Sequence, residues 1–539
     1  MPSSTASPAE PTTARRWTPL AIAPPRDWST GAWPLLALVA MATVIRILTI
    51  NDQSIATDEA LTTYEASLPF GAMLHTVIHI ETTPPLYFLV IWGWARGFGT
   101  GAVALRSVSM LAGIALVPLA YLAARSLFSR RAGLLAAAFV AVNPFMVWYS
   151  QQARSYMLLA ALSAAAFVFF IRAWREPSRR NLGWWVGFSA LALMTHFFAG
   201  FAIAPQALLL LWRWRRRGVV LALAAVAAAQ GAMLAFAFAD ASHAGIAWIA
   251  VQPKLTRIGQ GVLDWNVNQL YRSISVRDGL IGGAVLAAIV TLLVNWRADR
   301  ATRQGVRLAA SIAGFVVLAP LLLSFVGPDY WISRNLIPGF LPLFTVIAAA
   351  CVNPRARVAG GALALALLSI FAFSTIDVQT NHSLQRSRWR EVAASLGPAR
   401  VPRMVVASGG TTADPLKIYL PGVDWVQPQR RMLVIGEVDV IGQLKTVRLA
   451  GDRRPPGASG AGFRAPRHAR PLAGLALPQP AAPRGTILLS RRQVATWIVA
   501  RFRLLHPRRI SILRLLAIVD RFYVHPPKSM LVFEQRMIH

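Results

Sequence analysis

Carboxylates are scarce in this sequence, and five of them fall on one short stretch. Asn51 to Tyr87, "NDQSIATDEALTTYEASLPFGAMLHTVIHIETTPPLY", holds Asp52, Asp58, Glu59, Glu65 and Glu81, in a chain of 539 residues with only 22 Asp and Glu. A carboxylate can take the proton of a hydroxyl as a general base, or bind a sugar or a cation. It can equally do no more than cap a helix start, where backbone N–H groups lack partners. Asp58 and Glu59 open "DEALTTYEASLPF", which has the pattern of an amphipathic helix lying on a surface, and Glu81 stands just before Pro84 and Pro85. Asp58, Glu59 and Glu81 are therefore the candidate catalytic acids.

Positive groups that suit a phosphate come from elsewhere in the chain. Arg154 in "WYSQQARSYML" and Arg334 in "YWISRNLIP" each stand alone where an apolar run meets a loop, and a guanidinium can grip a phosphate through two parallel N–H donors. Lys254 and Arg257 join them as phosphate candidates, although lipid anchoring or a local ion pair accounts for them equally well. Tyr87, Tyr149, Gln152, Tyr156 and His196 are expected to line the cavity between acids and arginines. His75 and His79 have the i, i+4 spacing of a helical pair but no zinc motif around them, and Cys351 is the single cysteine. The metal content of the site is left open, a divalent cation on the first-loop carboxylates included.

The elements that must position these residues are membrane helices. The chain is 55% hydrophobic and 14% charged, with a mean hydropathy of +0.49, the composition of a polytopic membrane protein. A formal charge of +33 suits nucleic acid in principle, but much of it sits in short loops between apolar runs, where it sets membrane orientation. Membrane lipids, not nucleic acid, are the expected partners. Residues 1–30 read as a disordered cytoplasmic tail. Spans are expected at roughly 31–50, 105–125, 132–148, 156–172, 183–196, 199–212, 219–239, 279–295, 308–325, 335–351 and 357–376. Arg46 is expected to snorkel to the interface.

Pro84 to Gly97 is about fourteen residues long, short for a span, and its Tyr87, Trp92, Trp94 and Arg96 favour the headgroup level. Taken as an interfacial helix, it places the Arg clusters at 125–131, 172–180, 213–217, 297–307 and 355–357 on the inner side. The N-terminus is then cytoplasmic, and the acidic stretch and the chain's end are extracytoplasmic. The loop 240–278 is expected to form a part-ordered cap.

The fold class is thus a mainly helical membrane bundle with a small C-terminal α/β domain. The expected domains are the tail over 1–30, a transmembrane catalytic domain over 31–376, and an extracytoplasmic α/β domain over 377–539 with a flexible insertion near 450–486. In the last of these "RMVVASG", "RRMLVIGEVDVIG" and "GTILLS" read as strands, and "TADPLKIYL" and "RRQVATWIVARFRLL" as helices.

Taken in order, "TDEALTTYEA", "ETTPPLYFL", "NPFMVWYSQQARSYML", "THFFAGF" and "SRNLIPGFLP" resemble the GT-C glycosyltransferases, in the bacterial branch related to protein O-mannosyltransferases and the aminoarabinose transferase. The resemblance runs across roughly 31–376. It implies a multi-pass membrane enzyme that takes a sugar from a polyprenyl-phosphate carrier and passes it, with inversion, to a glycan, lipid or protein hydroxyl outside the cytoplasm. It carries the acidic positions onto Asp58 and Glu81, and the phosphate-holding arginines onto Arg154 and Arg334. The chain departs from the common pattern at Gln152, where many relatives have an acid, and at Thr83, where many have His or Lys. The other reading of the same charges is a flippase or transporter for lipid-linked glycans, but few ionisable residues fall at mid-membrane depth, where a transporter needs them.

Overall fold

The computed structural model describes residues 32–79, 81, 83–239, 249, 253–267, 274–327, 329–408, 413–423, 432–443, 485–494, 497–511 and 530–535. The tail over 1–30, much of the loop 240–278 and nearly all of the insertion near 450–486 lie outside the described residues.

The chain begins with α1 (Trp33–Thr49), followed by three helices of the first loop region, α2 (Thr57–Ser67), α3 (Phe70–His79) and α4 (Leu86–Phe98). The bundle continues with α5 (Ala102–Leu127), α6 (Arg130–Val142), α7 (Pro144–Ser150), α8 (Tyr156–Arg175), α9 (Arg179–Thr195), α10 (Ala199–Arg213) and α11 (Arg217–Ala239). After it come α12 (Lys254–Val267), α13 (Ile274–Trp296), α14 (Arg300–Leu323), α15 (Phe340–Cys351) and α16 (Arg357–Thr380). Among the described residues six helices are long and apolar enough to cross a membrane, or seven when the pair α6 and α7, bent by 57°, counts as one span. The helices Trp33–Thr49, Ala199–Arg213 and Ile337–Cys351 are apolar but shorter.

The bend between α6 and α7 has a chemical cause. Pro144 begins α7 and brings no N–H, so carbonyls at the end of α6 lose helical partners. Asn143 caps α7, its Oδ1 accepting from the N–H of Phe145 and Met146 at 3.0 and 3.1 Å. Arg46 serves the other side of the break: its guanidinium donates to the carbonyls of Ala141 and Val140 at 3.0 and 3.3 Å, and to Ser150 Oγ at 3.0 Å. Arg46 is therefore buried inside the bundle, not snorkelling, because freed carbonyls offer it better acceptors than the interface does. Gly113 on α5 is needed beside it, since a Cβ there would sit on Ser150 Oγ.

The first-loop helices also depart from expectation. α2 is no surface helix: Glu59, Ala60, Thr62, Thr63, Glu65 and Ala66 are all buried. Ala66 joins Met73 and Val77 of α3 and Tyr87, Phe88 and Ile91 of α4 in one apolar cluster. The polar residues that gave α2 its amphipathic look face inward to arginines rather than outward to water.

Beyond the bundle, α17 (Trp389–Leu396) and the short α18 (Leu416–Tyr419) pack beside five strands: β1 (Arg403–Ser408), β2 (Met432–Gln443), β3 (Thr486–Val494), β4 (Trp497–Ser511) and β5 (Met530–Gln535). The strand order is β3-β4-β2-β1-β5, with β1 and β2 parallel and the other pairs antiparallel. "RRQVATWIVARFRLL", expected to be helical, is the end of β3 and most of β4. Its burial alternates from Ala500 to Leu504, with Ala500, Phe502 and Leu504 buried and Arg501 and Arg503 more open, which is the period of a strand. This part rests on the first loop: Tyr419 Oη accepts from the Ile55 N–H at 2.7 Å, and Arg390 donates to the Asn51 carbonyl at 3.1 Å.

Candidate active site

Residues of the first loop meet arginines from four other parts of the chain. Asp58, in the first turn of α2, accepts from Arg334 Nη1 at 3.2 Å. Arg334 is held from behind: Ser333 Oγ donates to Asp264 at 2.7 Å, Trp265 Nε1 donates to the Ser333 carbonyl at 3.1 Å, and Asn143 Nδ2 donates to the Trp265 carbonyl at 2.9 Å. The α7 cap thus extends through α12 to the loop that carries Arg334.

Glu81 accepts from both Nη atoms of Arg154, at 3.0 and 3.3 Å, and Thr62 Oγ1 lies 3.3 Å from the same guanidinium. Tyr156 joins the two ion pairs. Its ring lies 5.4 Å from the Arg334 guanidinium, 5.2 Å from the Tyr149 ring and 5.9 Å from the His196 ring. Tyr87 and Gln152 are buried near this centre. Asp58, Glu81, Arg154, Arg334, Tyr149, Tyr156 and His196 are therefore brought together, although they come from five separate segments of the sequence.

Glu59 has a different place. Its carboxylate accepts from Arg106 Nε and Nη2 at 2.7 and 2.8 Å, from the N–H of Ala56 and Ala153, each at 2.9 Å, and from Arg386 at 3.3 Å. Burial alone works to raise its pKa. Arg106, Arg386 and the hydrogen bonds outweigh burial and hold the carboxyl at about 2. Glu59 joins α2, α5, the turn before Arg154 and the segment after α16, so its geometry is that of a structural joint.

Lys254 and Arg257 lie apart from the acids of the first loop. Arg257 pairs with Asp329, at 2.8 Å through Nη1, and donates to the Trp331 carbonyl at 2.9 Å. Lys254 reaches the same Asp329 at 4.0 Å and lies 3.8 Å from the Phe325 ring centre. His75 and His79 lie side by side on the open side of α3, with ring centres 4.3 Å apart and the rings tilted by 54°. Among the described residues no three His, Cys, Asp or Glu side chains converge as a metal-holding group. Asp58, Glu59 and Glu81 each accept from a guanidinium group.

Sequence reasoning missed Arg106 and Arg386. Arg106 carried the clearest signal, as a lone charge inside an apolar run, which requires a buried partner. Arg386 was hidden among Arg388 and Arg390, in a run that looks like a solvated face.

The fold and the charged cluster define a polytopic membrane protein with an ion-paired site where the first loop closes over the bundle. Residues 82–239 match the family described as dolichyl-phosphate-mannose-protein mannosyltransferase. That segment holds Arg106, Tyr149, Arg154, Tyr156 and His196, and the match falls within the stretch whose motifs resemble the GT-C glycosyltransferases. Among solved structures, it is similar to ArnT from Cupriavidus metallidurans bound to undecaprenyl phosphate, at 13% identity over 77% of this chain and 94% of that one, with a TM-score of 0.49. It is also similar to the Archaeoglobus fulgidus oligosaccharyltransferase, at 12% identity over 67% of this chain and 55% of that one, with a TM-score of 0.40. For the S. cerevisiae Pmt1-Pmt2 protein O-mannosyltransferase complex the figures are 18% identity, 39% and 32% coverage, and a TM-score of 0.31. No curated protein matches the chain.

Proposed function

We propose that this protein transfers a sugar, with inversion, from a polyprenyl-phosphate carrier to an acceptor hydroxyl at the extracytoplasmic face of the cell membrane, with Asp58 as the base. The observation that carries this reading is exposure. Asp52, before α2, is exposed, but of the carboxylates in the cluster, Asp58, Glu59, Glu65 and Glu81, only Asp58 is open, with 40% of its side chain exposed against 2%, 0% and 3% for the others. A base must touch its substrate, and a sealed acid has no access to one.

In the step itself, Asp58 takes the acceptor's hydroxyl proton, the acceptor oxygen forms its bond to the anomeric carbon, and the bond from that carbon to the phosphate oxygen breaks. The lipid phosphate departs with the electron pair. Positive charge placed in advance lowers the cost of that departure. Arg334 is the best-placed cation for it, half-buried and already beside Asp58. Arg154 lies deeper, with its Nη atoms on Glu81 and its Nε without an acceptor among the described residues. Lys254 and Arg257, turned to Asp329, have no part in this reading.

The test is transfer by purified protein in nanodiscs, from a panel of radiolabelled polyprenyl-phosphate sugars to hydroxyl acceptors. Transfer from one donor, lost in Asp58→Asn, is the expected result. Absence of transfer from every donor by a folded wild-type protein would overturn the reading.

A further inference from the structure

Glu65 is the acid that the scheme above leaves unused, and its surroundings are unlike those of the other three. It lies on the last turn of α2, is 0% exposed, and no N–H or O–H donor among the described residues reaches either of its oxygens. An ionised carboxylate offers about four acceptor sites, and leaving them empty in a place closed to water costs several kcal/mol, on the order of a buried unpaired charge. The groups facing it are Glu81 and Arg154, with Tyr87 on α4 further along the same face; His75 and His79 of α3 point to that helix's open side. Two carboxyls thus share one guanidinium, and Arg154 already gives both Nη atoms to Glu81.

We propose that Glu65 is held as the neutral acid and donates a hydrogen bond to the Glu81 carboxylate, so that Glu65, Glu81 and Arg154 form one positioning unit beneath the transfer site. The neutral form resolves both difficulties at once. It needs no incoming donor, and it supplies Glu81 with the O–H that fixes the carboxylate squarely on Arg154. Burial, and then the charge of Glu81, push the Glu65 carboxyl up to about 9, with Arg154 pulling the other way. Above that pH the proton leaves, two anions face one cation, and Arg154 loses its fixed geometry. Glu65 is a positioning residue in this account. It touches neither substrate nor reacting atoms, and its effect on turnover rests on the transferase reading, whereas its protonation does not.

The experiment has one arm that is independent of activity. The infrared difference spectrum of wild type against Glu65→Gln, in nanodiscs at neutral pH, is expected to show the C=O stretch of a protonated carboxylic acid that disappears as the pH passes about 9. Absence of that band at neutral pH would overturn the proposal. In the activity arm, Glu65→Ala lowers kcat roughly 10- to 100-fold, the scale of a misplaced site group. Glu65→Gln, which keeps a neutral N–H donor, restores most of that loss and removes the alkaline limb of the wild-type pH profile. A Gln variant as impaired as the Ala variant, with a normal melting temperature, would overturn it as well. A band present in a protein that transfers no sugar at all would sink the transferase reading and leave the protonation of Glu65 standing.

Discussion

Two regions of this protein bury carboxylates against arginines, and only one of them has the makings of a reaction site. In the C-terminal sheet, Glu437 and Asp439 are 1% and 0% exposed, and the arginines around them come from neighbouring strands: Arg403 lies 3.1 Å from Asp439, and Arg501 2.6 Å from Glu437. Arg403 also donates to the carbonyls of Leu396 and Gly397 at 3.0 and 2.8 Å, tying the end of α17 to the sheet. Every charge there is spent on holding one element to another. The first loop repeats that construction at Glu59 and Glu81 and then departs from it at Asp58, which is paired but open. A buried ion pair is weak grounds for either stability or function. A paired acid left open at the edge of a closed cluster can meet a substrate.

The largest effect that separates the two regions is on turnover. Asp58→Asn is expected to lower the transfer rate by about 10² to 10⁴, the usual cost of losing a positioned base, with little change in melting temperature. Asp439→Asn is expected to leave turnover per folded molecule near that of wild type. Rates measured at saturating donor and acceptor decide the matter: near-normal transfer by Asp58→Asn removes it as the base.

Next in size is stability. Arg106→Met strands Glu59 with only Arg386 as a charge partner, and breaking a buried pair from one side costs about 3–5 kcal/mol. The variant is expected to express poorly or to melt well below wild type in detergent. If it folds normally, Glu59 is not the joint described above, and its place as a candidate acid reopens.

How much of this was legible beforehand follows from what kind of signal each feature leaves. The apolar runs of the bundle and the first-loop acids could be read directly, because hydropathy and the scarcity of Asp and Glu are properties of single segments. Asp58 and Arg334 were both singled out, but their pairing spans 276 positions of sequence, and spacing carries no such information. Arg46 was misplaced because its position near a helix end fits snorkelling, while the carbonyls freed by Pro144 lie almost a hundred residues away. Residues 491–505 read as a helix, yet Val494, Ile498 and Val499 are β-branched, and the cross-strand pairs Glu437 with Arg503 and Asp439 with Arg501 fix them in the sheet.

The two regions should also respond to pH with opposite signs. Glu59 is held near 2, below its ordinary value of 4.5, so its contribution to stability is full above about 4.5 and is lost as the pH falls through about 2. Asp439 is pushed well above the usual carboxylate range by burial and by Glu437, with Arg403 and Arg501 opposing. Its contribution is full below that range and is lost as the pH rises. Thermal unfolding of wild type, Glu59→Gln and Asp439→Asn across the acid-to-neutral range is the check. The gap between wild type and Glu59→Gln is expected to narrow on acidification, and Asp439→Asn is expected to gain on wild type as the pH rises. A gap for Glu59→Gln that widens towards acid contradicts the assignment.

The smallest effect is expected at Lys254, and it is informative because the sequence suggested a phosphate ligand there. Its ammonium stands 4.0 Å from Asp329 and over the Phe325 ring, with the side chain 31% exposed. A partly exposed pair of this kind is worth about 0–1 kcal/mol after solvent screening, and the ring contact about 0.5–1 kcal/mol more. Lys254→Ala should therefore lower the melting temperature slightly and leave the donor KM unchanged, since Arg257 retains Asp329 through its own contact. Arg334→Ala, by contrast, removes a guanidinium beside the open acid and should raise the donor KM and lower kcat together. A tenfold rise in donor KM for Lys254→Ala, about 1.4 kcal/mol of lost binding, would return Lys254 to the phosphate site and place α12 over the donor rather than behind Arg334.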